Sequence, residues 1–412
     1  MEATSISHLS SDTITDILLR LPAKSILCAG AVCTAWRRIT TNTSFRAEHA
    51  RLQPANVVLY TYQFSPRCID RRPGYYEDEL ALDLLPISSD SDEAARRRLI
   101  RYPMETFLLL ASCNGVLLFQ FQKSWGNFLL CNPAMGQWAE LSPLPPIRPE
   151  PAKVMIDEYA FYYHEPSGEY RLLLRRLRGR SWFILSTGTT EPREVNLCAW
   201  LPETMGITTL LRTTPVALQG RLHWPPRQAA GAPVVAGAPV VAAAGESETA
   251  TTMVVFDTLS ETFHLMAGPP TATAYQTKVF DLAGQLVAAD FGGEEHVDLW
   301  FLEDYNAGKW ERRHRAPTPW HTGTLGVPEP EWRGPNSVAA AGDDREGIVM
   351  LGNHLGLLVY NLRTRTARAV DSVAASEHNI VVSRHVFREN LKQHPSFAAR
   401  SAAELGVNIF WY

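Results

Sequence analysis

"FLLCNPAMGQW", residues 128–138, is an apolar run that halts at Asn132-Pro133 and restarts through Gly136 to Trp138. An Asn side chain can tie itself to the backbone that follows, glycine supplies positive φ, and an aromatic six positions on opens a return strand, so the stretch reads as a tight β-hairpin. The spacing recurs in His164-x-Pro166-x-Gly168-x-Tyr170, in Asp257-Thr258 leading to Phe263, in Asp304 leading through Ala307-Gly308 to Trp310, and in Asn361-x-x-Thr364-x-x-Ala367. One hairpin used five times points to a repeat architecture.

A second element works outward from the first. A glycine leads an apolar strand in "SCNGVLLF", "LQGRLHW", "LAGQLVAAD" and "LGNHLGLLVY", which places entry strands near 115, 220, 284 and 356. Short β-like runs such as "NVVLYTY", "SWFILS" and "VDLWFLE" fill the intervals, and no helix-length amphipathic segment appears after Pro54 until the closing "VFRENLKQ". A body of this length built only from strands has to protect its sheet edges, and radial repetition of small sheets does so. The expectation is a β-propeller over residues 55–392 followed by a C-terminal tail, 393–412. At about 40 to 50 residues per four-stranded blade it accommodates six to eight blades.

Before Pro54 the period changes. Ile14, Ile17, Leu18 and Leu21 fall at i, i+3, i+4 and i+7, with Ser10 or Ser11 as N-cap candidate. Pro22 ends that helix, Ala23 to Ala29 form another, and Val32, Trp36 and Ile39 line up on a third. The fold class expected is multidomain, α plus all-β: a trihelical domain at 8–50 ahead of the propeller. A lone module of about 40 residues usually needs a staple or a partner. This one shows no disulfide pattern and no metal-ligand spacing, so its apolar stripe must be covered by another protein or by the rest of the chain.

Composition narrows the partners. The chain of 412 residues has 45% hydrophobic and 20% charged residues and a formal net charge of -4, which gives no general pull toward nucleic acid or anionic membranes. The runs Arg96-Arg97-Arg98 and Arg175-Arg176-Leu177-Arg178 lack interleaved aromatics and read as solvated loop or strand edge. Six cysteines, at 28, 33, 68, 113, 131 and 198, form no Cys-x-x-Cys pair, and the opening "MEATSISHLSSD" is too polar for a signal peptide. Reduced thiols in cytoplasm and/or nucleus are expected. The nearest approach to a membrane span, "AAGAPVVAGAPVVAAAG" at 229–245, is broken by Pro233 and Pro239 and reads as a low-complexity loop.

Chemical motifs are sparse. There is no His-Glu-x-x-His, no phosphate-binding glycine loop, no Gly-x-Ser-x-Gly and no zinc spacing, so no catalytic, cofactor-binding or metal residue is assigned. Glu294-Glu295-His296 is the densest acid/base cluster and reads as a solvated turn, while Cys33 beside Trp36 reads as packing, with no basic partner placed to lower its pKa.

The segment "HLSSDTITDILLRLPAKSILCAGAVCTAWRRITTNTSF", residues 8–45, resembles an F-box, through Leu9, Asp12, Ile17, Leu18, Leu21, Pro22, Lys24, Ser25, Leu27, Val32, Cys33, Trp36 and Phe45. It departs from that pattern at Ser10, where proline is usual, and at Ala29-Gly30-Ala31, where larger or basic residues are common. The body resembles the F-box-associated, kelch-like propellers of plants, through Ser112-Cys113-Asn114-Gly115, Cys131-Asn132-Pro133, Gly220-x-Leu222-His223-Trp224 and "HVFRENLKQHPSF" at 385–397. These resemblances imply a substrate-recognition subunit of a cullin-RING ubiquitin ligase. Its adaptor-binding residues, toward a Skp-family protein, would be Leu9, Ile17, Leu18, Leu21, Pro22, Leu27, Val32, Cys33 and Trp36, and its propeller would carry a protein substrate whose identity the sequence does not disclose. Two other expectations stand beside it: an F-box scaffold or lectin-like receptor outside any ligase, and a propeller hydrolase or oxidase.

Overall fold

The computed structural model describes residues 9–63, 79–88, 95–103, 106–121, 126–144, 156–176, 182–195, 214–228, 251–271, 277–293, 295–318, 339–343, 347–353, 356–370, 380–399 and 408–409. Cys68, Cys198, Glu294 and the 229–245 stretch lie outside them.

The five spaced motifs are hairpins, and the side chain that opens each one explains its shape. Asp257 Oδ1 accepts from the backbone N–H groups of Leu259 and Ser260, Asp304 Oδ1 from Asn306 and Ala307, and Asn361 Oδ1 from Arg363 and Thr364, at 2.9–3.0 Å. Four positions after the first residue the backbone turns left-handed in all five, at Gly136, Gly168, Glu261, Gly308 and Arg365. Two of these are not glycine. The glycine-led element is a two-residue turn with both central residues at positive φ, Asn114-Gly115, Gln219-Gly220 and Ala283-Gly284. Such a turn twists in the same sense as the strands it joins.

These hairpins assemble into six antiparallel sheets. Blade 2 runs outward from Phe107–Cys113 through Val116–Phe121, Phe128–Asn132 and Gln137–Leu141; blade 3 from Ile156–His164 through Glu169–Arg176, Trp182–Ser186 and Arg193–Val195. Blade 4 has Val216–Leu218, Arg221–His223, Thr251–Asp257 and Thr262–Ala267, with Arg227–Gln228 also paired to its third strand. Blade 5 comprises Thr277–Leu282, Gln285–Asp290, His296–Asp304 and Lys309–Pro317, and blade 6 Ala339–Asp343, Ile348–Asn353, Gly356–Asn361 and Thr366–Ala369. Gly356 thus leads a third strand, whereas Gly115, Gly220 and Gly284 precede second strands.

Blade 1 is built from both ends of the chain. Its innermost strand is Ile380–Phe387, paired to Asn56–Gln63, which continues to Glu79–Pro86 and Arg97–Pro103. A hydrogen bond from Asn56 Nδ2 to Phe387 O, 3.3 Å, closes the ring across 331 positions of sequence. Six apolar clusters fill the junctions, one between each adjacent pair of blades including 6 and 1, where Met350 and Val359 meet Val57 and Leu85. The fold is an N-terminal helical region followed by a six-bladed propeller.

Two expectations change at the C-terminal end. "VFRENLKQ" is not a helix: Val386 and Phe387 finish the closing strand and the rest is irregular chain. The segment from 393 is more than a tail, because His394 and Phe397 are buried, Ala398–Ala399 pairs with the outer strand of blade 2, and Asn408–Ile409 with that of blade 1.

Candidate docking face of the helical head

The head has four helices where three were expected: α1 (Ser11–Leu19), α2 (Ala23–Ala29), α3 (Thr34–Thr41) and α4 (Thr43–Leu52). Local chemistry starts three of them. Ser10 Oγ accepts from Thr13 N at 3.1 Å, Cys33 Sγ from Trp36 N at 3.4 Å, and Asn42 Oδ1 from Ser44 N and Phe45 N. Serine and asparagine at these positions satisfy N–H groups that have no partner within the helix. Pro22 precedes α2 in extended conformation and offers no capping side chain.

The cap for α2 comes from the far end of the chain. Ala23 N donates to Glu389 Oε2 at 3.0 Å, and the other oxygen of that buried carboxylate receives Arg97 Nη1 from blade 1 at 2.7 Å. Arg388 Nη1 donates to Gln53 O at 3.2 Å. The Leu21 carbonyl, exposed by the break at Pro22, accepts from the buried His49 Nε2 at 2.8 Å. Burial holds the His49 imidazole below its ordinary pKa, with the Leu21 carbonyl and the Glu389 charge pulling back the other way.

These ties set one face of the head against the propeller. Leu18, Ala23, Ile26, Ala29 and Phe45 form one cluster with Ala134 of the blade 2 outer hairpin and Leu391 of the C-terminal segment. The stripe read from the sequence is therefore divided. Leu18, 1% exposed, is core and presents no surface, while Leu21 and Trp36 are half-buried against the same cluster. Leu9, Ile17, Leu27 and Val32 remain exposed at 40%, 47%, 37% and 66%, together with Pro22, Cys33 and Cys28. Of the six exposed large hydrophobics among the described residues, four sit on this head of about 40 residues. Scattered exposed apolar residues are ordinary; their concentration on so small a module sets the head apart from the rest of the described surface.

Sequence reasoning named Leu9, Ile17, Leu27 and Val32, which are exposed, together with Leu18, which is not, and missed Glu389, His49, Arg97 and Leu391, which orient the head. Their partners lie far away in the chain, and no local period marks them. Among the described residues no group of three or more His, Cys, Asp or Glu is gathered as metal ligands, and no helix is long and apolar enough to cross a membrane.

Comparison with known proteins agrees with this division. Residues 6–47 match the F-box domain family. An F-box protein of Arabidopsis thaliana is 22% identical over 330 residues, covering 77% of this chain and 73% of its own. Among solved structures, a Listeria monocytogenes protein aligns at TM-score 0.33 and 8% identity over 77% of this chain and 83% of its own. An acylaminoacyl peptidase of Pyrococcus horikoshii aligns at TM-score 0.28 and 11% identity over 71% of this chain and 37% of its own. At such scores neither structure bears on what the chain does.

Proposed function

We propose that this chain, which couples an F-box domain to a six-bladed propeller, is the substrate-recognition subunit of a Skp/cullin/F-box ubiquitin ligase. The carrying observation is that Leu9, Ile17, Leu27 and Val32 stay uncovered on a head whose other apolar residues, Leu18, Ala23, Ile26, Ala29 and Phe45, are already packed with the propeller's Ala134 and Leu391. A head already tied to the propeller, with apolar side chains left uncovered, is preorganised to dock on a Skp-family adaptor, so little ordering cost is left at association. Covering what is still exposed of one such Ile, Leu or Val is worth about 0.5–2 kcal/mol of transfer free energy, part of which survives association. The propeller then holds a protein client, and the cullin scaffold raises the effective concentration of a charged ubiquitin-conjugating enzyme near the client's lysines. In this reading the chain makes and breaks no bond, and it works in cytoplasm and/or nucleus.

The test is adaptor co-purification with Ile17→Asp and Val32→Asp, separately and together. Both side chains are exposed, so the expected result is lost adaptor recovery with an unchanged thermal midpoint. Full recovery at matched expression overturns the docking assignment. Trp36→Ala is a poorer reporter, since Trp36 also packs on the core of the head.

A further inference from the structure

The inner strands Phe107–Cys113, Ile156–His164, Val216–Leu218, Thr277–Leu282, Ala339–Asp343 and Ile380–Phe387 ring a central channel. Toward the end where these strands turn outward the channel holds a cavity of about 340 Å³, walled by all six blades. The outer hairpin of blade 2, on which the head sits, turns at that same end, because alternate turns of an antiparallel blade fall on one side.

The wall is cationic. Lys278, Arg384 and Arg388 line it, against one described carboxylate, Asp281, whose Oδ1 accepts from Gly284 N at 2.8 Å in its own turn. Arg388 is engaged with the head through Gln53 O. Among the described residues the Arg384 guanidinium is held through Nη2 alone, which donates to Tyr159 Oη at 2.5 Å, and Tyr159 Oη in turn donates to Leu110 O at 2.9 Å. Arg384 Nη1 is buried with no acceptor among the described residues, and so is Ser112 Oγ, another residue of the wall. Among the described residues no hydrogen bond or ion pair engages the Lys278 ammonium, while its backbone belongs to the strand paired with Gln285–Asp290. Burial first and the Arg384 charge second push its ammonium down to about 8. The remaining titratable groups of the wall are neutral, since burial first and Arg384 second hold His385 well below its ordinary value, and burial first raises Cys113 to about 12.

Two cations on one wall, with no carboxylate paired to either among the described residues and with buried donors that lack acceptors beside them, repel each other unless an anion intervenes. We propose that this cavity binds a small organic anion bearing a carboxylate or phosphate, with Lys278 and Arg384 as its charged contacts and Ser112 as a neutral donor. A fixed guanidinium and a nearby ammonium suit oxyanions of either kind. The volume falls at the lower end of the range for small-molecule sites, about 300–1,000 Å³, and is far below what a folded surface needs. The inference does not rest on adaptor docking, since none of these residues lies on the head.

The test titrates the full-length chain by calorimetry and thermal shift with citrate, inorganic pyrophosphate and an acidic peptide, against sodium chloride at matched ionic strength. Citrate or pyrophosphate is expected to bind saturably and raise the thermal midpoint. Lys278→Met, whose side chain has no described protein partner, is expected to weaken that binding by about tenfold while adaptor recovery stays at the wild-type level. Arg384→Gln is expected to do the same, and if the loss of its Tyr159 bond unfolds the ring, Lys278→Met alone decides. Absence of saturable binding by both anions overturns the proposal, as does binding undiminished in Lys278→Met. Binding by the acidic peptide alone also overturns it, since the anion would then belong to a protein client.

Discussion

Gly115 has φ of +76°, and a Cβ added there would stand 2.5 Å from Asn390 Cβ and 2.7 Å from the Arg388 carbonyl oxygen. The crossing chain cannot withdraw freely, because Asn390 Nδ2 donates to Asn114 O at 2.9 Å and the same segment carries the Glu389 bond to the head. Gly284 has almost the same φ, +79°, with nothing within 4 Å of the added Cβ. Gly284→Ala should therefore cost only the left-handed strain, about 1 kcal/mol, and Gly115→Ala about 1–3 kcal/mol more as overpacking against backbone. Chemical denaturation of the two variants measures the difference, and equal losses would show that the C-terminal segment yields. At this scale the sequence is ambiguous in a definable way. Ile17 and Leu18 are neighbours on one apolar stripe, yet one is 47% exposed and the other 1%. A helical period gives the width of an apolar face but not which edge of it meets the propeller.

The hairpin was the most legible element, since everything that makes it lies within seven residues: an acceptor side chain, a left-handed position and a return strand. What the spacing hid is that the left-handed position tolerates side chains, Arg365 at φ 59° and Glu261 at φ 53°. These two offer a paired prediction. Arg365→Gly relieves the strain and should raise stability by about 0.5–1 kcal/mol. Glu261→Gly relieves the same strain but removes a carboxylate that joins blades 3 and 4, taking Arg193 Nη2 at 2.5 Å and Arg171 Nη1 at 3.4 Å, and should give no gain or a net loss. Thermal unfolding of both variants checks the pair, and stabilisation by both would deny the ion pairs any role. The blade count was not legible because blade 1 takes its inner strand from the last part of the chain and its other strands from the first part. The cap of α2 escaped notice for the same reason, since Glu389 lies 366 positions from Ala23. Local patterns specify turns; pairings between distant segments leave no period to read.

Over the whole molecule, stability is tied to the protonation of histidines spread around the ring. His223 in blade 4 and His394 in the C-terminal segment are pushed down to about 4, and His385 in the closing strand falls well below its ordinary 6.5. Burial is the first cause in each, with partial relief for His223 from the Val216 carbonyl and for His394 from Gly168, and further lowering of His385 by Arg384 and of His394 by Lys392. Each is neutral when folded, and when unfolded takes a proton near 6.5. The stability they contribute is thus full above that value and drains away as pH falls from 6.5 toward about 4, at about 1.4 kcal/mol per unit of separation and less where the ring is partly wet. The carboxylates Glu169, held low chiefly by the Ser186 hydroxyl, and Asp257, held low chiefly by Ser260 N, titrate from ordinary values of 4.5 and 3.8, so their losses overlap the acid end of the histidine window and continue below it. His394 packs edge-on against Tyr170 at 4.7 Å between ring centroids and tilted against Phe397 at 5.4 Å, contacts that a phenyl ring can keep. His394→Phe should therefore unfold at a temperature close to wild type at neutral pH and above it near about pH 5. Parallel curves for the two proteins across that interval would mean that the C-terminal segment detaches before the ring unfolds, leaving His394 equally free to protonate on both sides of the transition.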